Sequence, residues 1–286
     1  MQHPVSRSLT HPLAAVLLLA TFIASSWAQP VTPQPLNDTG ITVSRYPGND
    51  LNPPNLCNPA HPAGQDCQYG RDKAAVDGAL VKTGASTLIN GTANGFDYTK
   101  VCNSGQLAGQ GTCPANPALG AGPDDWACTK DNVTKLIWEI KVNDPSHPRH
   151  MNHTYSWYYY GGGGTLMGWP DGVGCNDAAC GVCVPSGHCD TYQYTVTVNA
   201  GAGLCGATDW RMPSMRELYS IADLGRVGVG PRIDPTYFPN TPSSFIWANI
   251  LFPLGAAAWC MQFGDGSSGF CDYLQRLPVR LVRGGQ

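Results

Sequence analysis

Twelve cysteines follow an N-terminal export signal, and that pairing limits this chain more than any other feature. Residues 1–28 read as the signal. Arg7 supplies the positive start, and "LAAVLLLATFI" (Leu13 to Ile23) is apolar but too short to span a bilayer comfortably. "SWA" (Ser26 to Ala28) places small residues at a cleavage site, which predicts a mature chain starting at Gln29. The expected location is secreted, periplasmic or cell-surface. An even cysteine count in an exported chain predicts disulfides. Thirty-four glycines and 24 prolines imply long irregular loops that need such staples. Each ordered backbone residue costs about 1–2 kcal/mol of conformational entropy. A disulfide offsets about 2–4 kcal/mol of that cost.

The chain carries a formal net charge of −3, made one unit more negative by loss of Arg7, and only 13% of its residues are charged. This is not the basic footprint of a nucleic-acid binder. No segment after the signal is long and apolar enough to cross a membrane. The length suits one large domain or two small ones. Residues 29–125 form a Pro-, Gly- and Cys-rich N-terminal extension, and residues 126–286 have the texture of a folded domain.

Within the extension, "LNDTGITVSRY" reads as one strand, and "DKAAVDGALVK" and "GFDYTKV" as helices or strands. Cys57 and Cys67 lie close in sequence, as do Cys102 and Cys113. After Trp126, "DNVTKLIWEIKV" predicts a turn and an apolar strand from Leu136 to Val142. "TYSWYYY" reads as another strand. Asp190 to Gly203 is ambiguous. Alternation of Tyr192, Tyr194, Val196 and Val198 favours a strand, whereas Asp190 with Gln193 three residues on favours a capped helix. Ser214 and Glu217 form a capping box before Leu218, Ile221 and Ala222, with Gly225 as the expected stop. "QFGDGSSGFC" predicts a hairpin with Cys260 and Cys271 flanking its turn.

The motifs "CTKDNVTKLIWEIK", "LCGATDWRMPSMREL", "IDPTYFPNT", "IWAN", "AWCMQFGDG" and "VRLVRGG" occur in this order between Trp126 and Gly285. Together they resemble the C-terminal domain family of the Legionella collagen-like protein. The resemblance implies an α+β, C-type-lectin-like fold, distantly similar to formylglycine-generating enzymes. It also implies relatives that include surface adhesins binding sulfated glycans, and it makes Asp190 to Ala200 a helix. The chain departs from the family pattern in two places. Lys135 stands where the family turns on glycine, which predicts a slightly strained turn, and four cysteines fall between Cys175 and Cys189 where two are common. The expected pairs are Cys57–Cys67, Cys102–Cys113, Cys128–Cys205, Cys175–Cys180, Cys183–Cys189 and Cys260–Cys271.

Several constellations carry a chemical reading beside a plainer one. Cys175, Cys180, Cys183 and Cys189 have spacing suited to zinc, but an oxidising compartment favours two small-loop disulfides. Cys260 and Cys271, as a cysteine pair near the C-terminus, resemble the redox or copper cysteines of the formylglycine enzymes. No histidine follows His188 to act as a local base, so a structural disulfide is favoured. His147, His150 and His153 share helical spacing, but Pro145 and Pro148 predict a solvated loop. Loop carboxylates at Asp124, Asp125, Asp171, Asp177 and Asp265 lack the ligand spacing of a Ca²⁺ loop, so turns are the better reading and no cofactor is expected. Arg211 or Arg280 is expected to pair with Glu139 or Glu217 in the framework rather than to contact a ligand.

"YSWYYYGGGG" supplies the candidate surface. Strand alternation sends Tyr155, Trp157 and Tyr159 to one face and Tyr158 and Tyr160 to the other. Tyr158, Tyr160 and Trp169 are the candidate ligand contacts. The expected role is an exported binding or adhesion module for a glycan or another surface component, without catalysis. The alternatives are a structural subunit of a surface assembly, or a formylglycine-generating-type enzyme.

Overall fold

A computed structural model describes residues 96–160, 166–170, 183, 189–226, 228, 230–252 and 256–284. The signal, Cys57, Cys67, Cys175, Cys180, Gly161 to Gly164 and the candidate elements before residue 96 lie outside the described residues. What is described is α+β: small antiparallel sheets, short helices and disulfides.

Strands β1 (Tyr98–Cys102), β2 (Trp126–Asp131), β3 (Ile137–Glu139) and β9 (Val282–Arg283) form an antiparallel sheet in the order β1-β2-β3-β9. "GFDYTKV" therefore supplies an edge strand. A boundary drawn at residue 126 runs between two strands hydrogen-bonded to each other, and Phe96 and Tyr98 are buried in the core they share. The β2–β3 turn is organised by Asp131, whose carboxylate accepts the Val133 N–H (2.9 Å) and the Thr134 hydroxyl (2.6 Å). These bonds hold Lys135 at φ 66°. A side chain there is strained relative to glycine, as expected from the departure noted above.

β4 (Tyr158–Tyr160) and β5 (Leu166–Gly168) make a two-stranded hairpin. β6 (Phe245–Leu251), β7 (Ala257–Gln262) and β8 (Ser268–Asp272) make a three-stranded sheet in that order. The aromatic strand pairs with β5 and lies apart from "LIWEIKV". β3 is flanked by β2 and β9, and Tyr155 bridges Leu277 instead.

Helix α1 (Thr191–Asn199) resolves the ambiguous stretch. The Asp190 side chain accepts the Gln193 N–H at 2.8 Å, and Thr191, Tyr194 and Val198 form the buried stripe. Helix α2 (Met215–Ser220) has the full capping box between Ser214 and Glu217. It stops at Ser220, before Gly225, because Ile221 leaves helical geometry and buries its side chain beside Leu218 and Ala222.

Two apolar clusters fill the interior. One gathers Tyr155, Trp157, Tyr194, Trp210 and Trp247 around the disulfides Cys128–Cys205, Cys183–Cys189 and Cys260–Cys271. The other gathers Phe96, Trp138, Leu218, Phe238 and Met261, with Trp259 packed against it. The buried indoles also bond. Trp157 Nε1–H donates to Ala248 C=O (2.8 Å) and Trp247 Nε1–H to Tyr155 C=O (2.7 Å), tying the aromatic segment to β6.

Candidate functional site

The aromatic segment splits into a buried root and an exposed tip. Tyr155 and Trp157 are core residues, while Tyr159 and Tyr160 are each 51% exposed. Simple alternation would bury Tyr159. Instead its ring lies over the edge of the core, stacked at 6.5 Å on Trp157, which itself stacks on Tyr273 at 5.1 Å. Tyr158 and Tyr160 project from the other face of β4 and both meet Tyr192 of α1, at 6.2 Å and 5.6 Å between ring centroids. The result is a three-tyrosine platform contributed by a hairpin and a helix.

Its support is rigid. The Thr191 hydroxyl donates to Tyr158 C=O (2.7 Å) and accepts the Tyr158 N–H (3.0 Å), so the first residue of α1 grips the first residue of β4. The Ser156 N–H donates to Cys189 C=O (3.0 Å) and the Thr191 N–H to Ser156 C=O (3.0 Å). Cys189 is in turn held by the disulfide to Cys183. The hairpin needs Gly168, because at φ 92° a Cβ would collide with the Trp157 carbonyl oxygen. Half-buried Trp169 is fixed through its backbone. Its N–H donates to Trp157 C=O (2.9 Å), and its C=O accepts the Ser156 hydroxyl (2.8 Å).

Of the residues expected at the surface site, Tyr158 and Tyr160 come together, and Trp169 adjoins them through the hairpin. Tyr192 was missed. The signal for it was the Asp190 cap. Once that residue starts a helix, Tyr192 and Val196 are four apart on the face away from Tyr194 and Val198, and Val196 is exposed.

Among the described residues, the arginines and loop carboxylates tie elements of the framework together. Arg211 grips Glu217 with two nitrogens, at 3.0 and 2.6 Å, and also donates to Gly284 C=O. Burial pushes the Glu217 carboxyl up, but the hydrogen bonds from Arg211 and the Ser214 N–H outweigh it and leave the group below its ordinary value. Arg280 does not pair with a carboxylate. It donates to the Glu139 backbone carbonyl (2.5 Å) and the Thr241 hydroxyl (2.7 Å).

Glu139 is fully buried and instead takes Lys141 (2.7 Å), the Tyr194 hydroxyl and the Leu281 N–H (2.8 Å). Burial drops Lys141 to about 8 and Arg280 to about 10. The histidine segment is a loop with an exposed tip at residues 143–146 and a half-buried His147, but its other two histidines turn inward. His150 and His153 are buried with rings edge-on at 5.0 Å, because the loop folds back on Pro145 and Pro148. Asp124, Asp125 and Asp265 each accept hydrogen bonds within their own loops. Among the described residues no three His, Cys, Asp or Glu side chains converge on a metal position. No helix among them is long and apolar enough to cross a membrane.

These features define a disulfide-stapled α+β domain that presents aromatic side chains on short, anchored elements. The chain belongs to the Lcl C-terminal domain family, whose model matches residues 127–283. No curated protein and no solved structure matches it.

Proposed function

We propose that this chain is an exported binding or adhesion module with a C-type-lectin-like scaffold, and that it recognises glycans or another cell-surface component through Tyr158, Tyr160 and Tyr192. The observation that carries this reading is the platform itself. Three tyrosine rings from two elements meet at the surface, with Tyr160 half exposed, and their backbone is fixed before any ligand arrives. Tyrosine offers a stacking face and a hydroxyl at low entropic cost, which suits the apolar face and hydroxyl rim of a sugar. The resemblance to surface adhesins supports the same reading.

A screen of the purified chain against glycans and extracellular-matrix components, repeated with EDTA and at raised salt, tests it. Tyr160→Ala is expected to weaken binding by about 1 kcal/mol or more with little change in melting temperature. Trp169→Ala, beside the hairpin, separates a ligand contact, which lowers affinity first, from a loop anchor, which lowers stability first. A neutral glycan binds independently of salt, whereas a sulfated one loses affinity as salt screens it. Binding unchanged in Tyr160→Ala and Tyr192→Ala removes the platform from the function.

A further inference from the structure

Among the described residues β8 is an edge strand, and its one guard against another strand is the charge of Asp272 at its end. Among the described residues no strand lies on its outer side. Natural edge strands are usually guarded by lysine, proline, a bulge or a cover. Ser268–Asp272 has no lysine or proline, and its pairing with β7 runs without a register shift. Its central residue, Phe270, is 64% exposed and stacks at 4.6 Å on Phe252. A Cβ on Gly269 would meet nothing within 4 Å, so the flank of the strand is open there.

The direction of its free hydrogen-bonding groups follows from the ladder. The Gln262 N–H donates to Ser267 C=O (2.8 Å), and the Tyr273 N–H to Ala256 C=O (3.1 Å). Hydrogen-bonded pairs alternate along an antiparallel ladder. Gly269 and Cys271 therefore bond β7, and the backbone groups of Ser268, Phe270 and Asp272 point away from it; of these, the Asp272 C=O already accepts the Gln275 N–H (2.9 Å), and one oxygen of its carboxylate accepts the Leu274 N–H (2.8 Å). Those three residues also carry the exposed side chains of the strand.

We infer that β8 pairs antiparallel with β8 of a second copy of this chain, about a two-fold axis through Phe270. The register is self-complementary. Phe270 opposes Phe270, an aromatic cross-strand pair, and Ser268 opposes Asp272, a hydroxyl facing a carboxylate. Each Phe270 N–H meets the other copy's Phe270 C=O, which the outward orientation of both groups requires. Charge selects the same arrangement. Ser268 shares a cavity of about 370 Å³ with Arg216, Tyr219, Ile250 and Trp259. Arg216 has no ion-pair partner among the described residues, because the neighbouring Glu217 is held by Arg211. A second copy's Asp272, placed opposite Ser268, arrives beside that guanidinium. The symmetric interface forms the contact twice. The dimer would display two tyrosine platforms, although the inference does not depend on what they bind.

Sedimentation velocity of the whole chain, from micromolar to sub-millimolar concentration, is the test. The expected result is a monomer–dimer equilibrium. Arg216→Asp is expected to weaken it at least ~10-fold, and the swap Arg216→Asp with Asp272→Arg to restore it. Phe270→Pro removes an N–H that faces away from β7, so it should abolish dimerisation while the fold survives. If circular dichroism shows that this variant does not fold, the charge pair decides. A chain monomeric throughout, a dimer indifferent to Arg216→Asp, or a charge swap that does not restore association overturns the inference.

Discussion

The buried cluster around Glu139 makes an unequal prediction for its members. Glu139 is the carboxylate that Lys141, Arg149 and Arg280 all feel, and all four side chains are buried. Three cations to one anion is an imbalance: burial, helped by the charges of Arg280 and Arg149, outweighs the pull of Glu139 and lowers Lys141 to about 8. Replacing Lys141 with methionine removes one desolvated cation and its hydrogen bonds to Glu139 and the Tyr194 hydroxyl but leaves the carboxylate beside Arg280 and Arg149, so its cost should be only about 1–3 kcal/mol. Glu139→Leu leaves three cations without an anion and strands the Tyr194 hydroxyl and the Leu281 N–H, so it should cost about 3–5 kcal/mol or more. Urea unfolding of both variants measures the difference.

The pH dependence supplies an independent check. The folded pKa of Lys141 is lowered to about 8 while the unfolded chain keeps its proton to 10.5. The unfolded state therefore binds more protons between those values, and stability rises with pH across that window. Between pH 8 and about 9.5 the rise should exceed about 1 kcal/mol and should vanish in Lys141→Met. Above about 10 the trend reverses, because burial raises Tyr155 and Tyr194 and the unfolded tyrosines ionise first. If Lys141→Met costs as much as Glu139→Leu, or the alkaline rise persists without Lys141, the charge imbalance is not what sets this cluster.

Two further outcomes test the scaffold. Ser214→Ala removes the acceptor of the Glu217 N–H and should cost about 0.5–2 kcal/mol. Leu218→Ala empties a fully buried position and should cost about 2–5 kcal/mol, and negligible thermal shifts for both would detach α2 from the core. The Cys128–Cys205 disulfide spans 77 residues, so its removal by paired alanine substitution should cost about 4–5 kcal/mol in the chain-entropy model, more than loss of Cys102–Cys113, which spans 11. Equal losses in denaturant melts would contradict that ordering.

What was legible in the sequence was local. The Ser214 capping box, the β7–β8 hairpin and the strained turn at Lys135 each depend on residues within a few positions, and each is present. What was not legible depends on partners far along the chain. Tyr155 and Trp157 look like half of a regular strand, yet they are placed by Leu277, Tyr273 and Ala248, more than 90 residues away in sequence for the Trp157 bond. The strand-like alternation of Tyr192 to Val198 loses to the helix because Asp190 caps it, and because a 3.6-residue period puts Thr191, Tyr194 and Val198 inward. The histidine loop looked wet because prolines and polar residues surround it. Its tip is exposed, but His150 and His153 are buried, the His153 ring lying against the carbonyls of Pro145 and Pro148.

The same long-range contacts explain why a costly buried charge sits where it does. Glu139 belongs to β3, but its carboxylate reaches α1 through the Tyr194 hydroxyl and the C-terminal segment through the Leu281 backbone N–H. Tyr194 also packs on Tyr155, at 4.6 Å between rings. Two residues before it, Tyr192 faces outward into the platform. An apolar core at this point would tolerate rotation or sliding of a nine-residue helix whose buried stripe is only three residues. A carboxylate with three donors does not, because any shift leaves a buried donor unpaired at a cost of about 1–3 kcal/mol. The network is thus better understood as fixing the angle of α1 than as adding net stability. With Thr191 clamping Tyr158 at the helix start and Cys183–Cys189 anchoring the chain that leads into it, the angle of α1 sets the spacing of Tyr192 from Tyr158 and Tyr160.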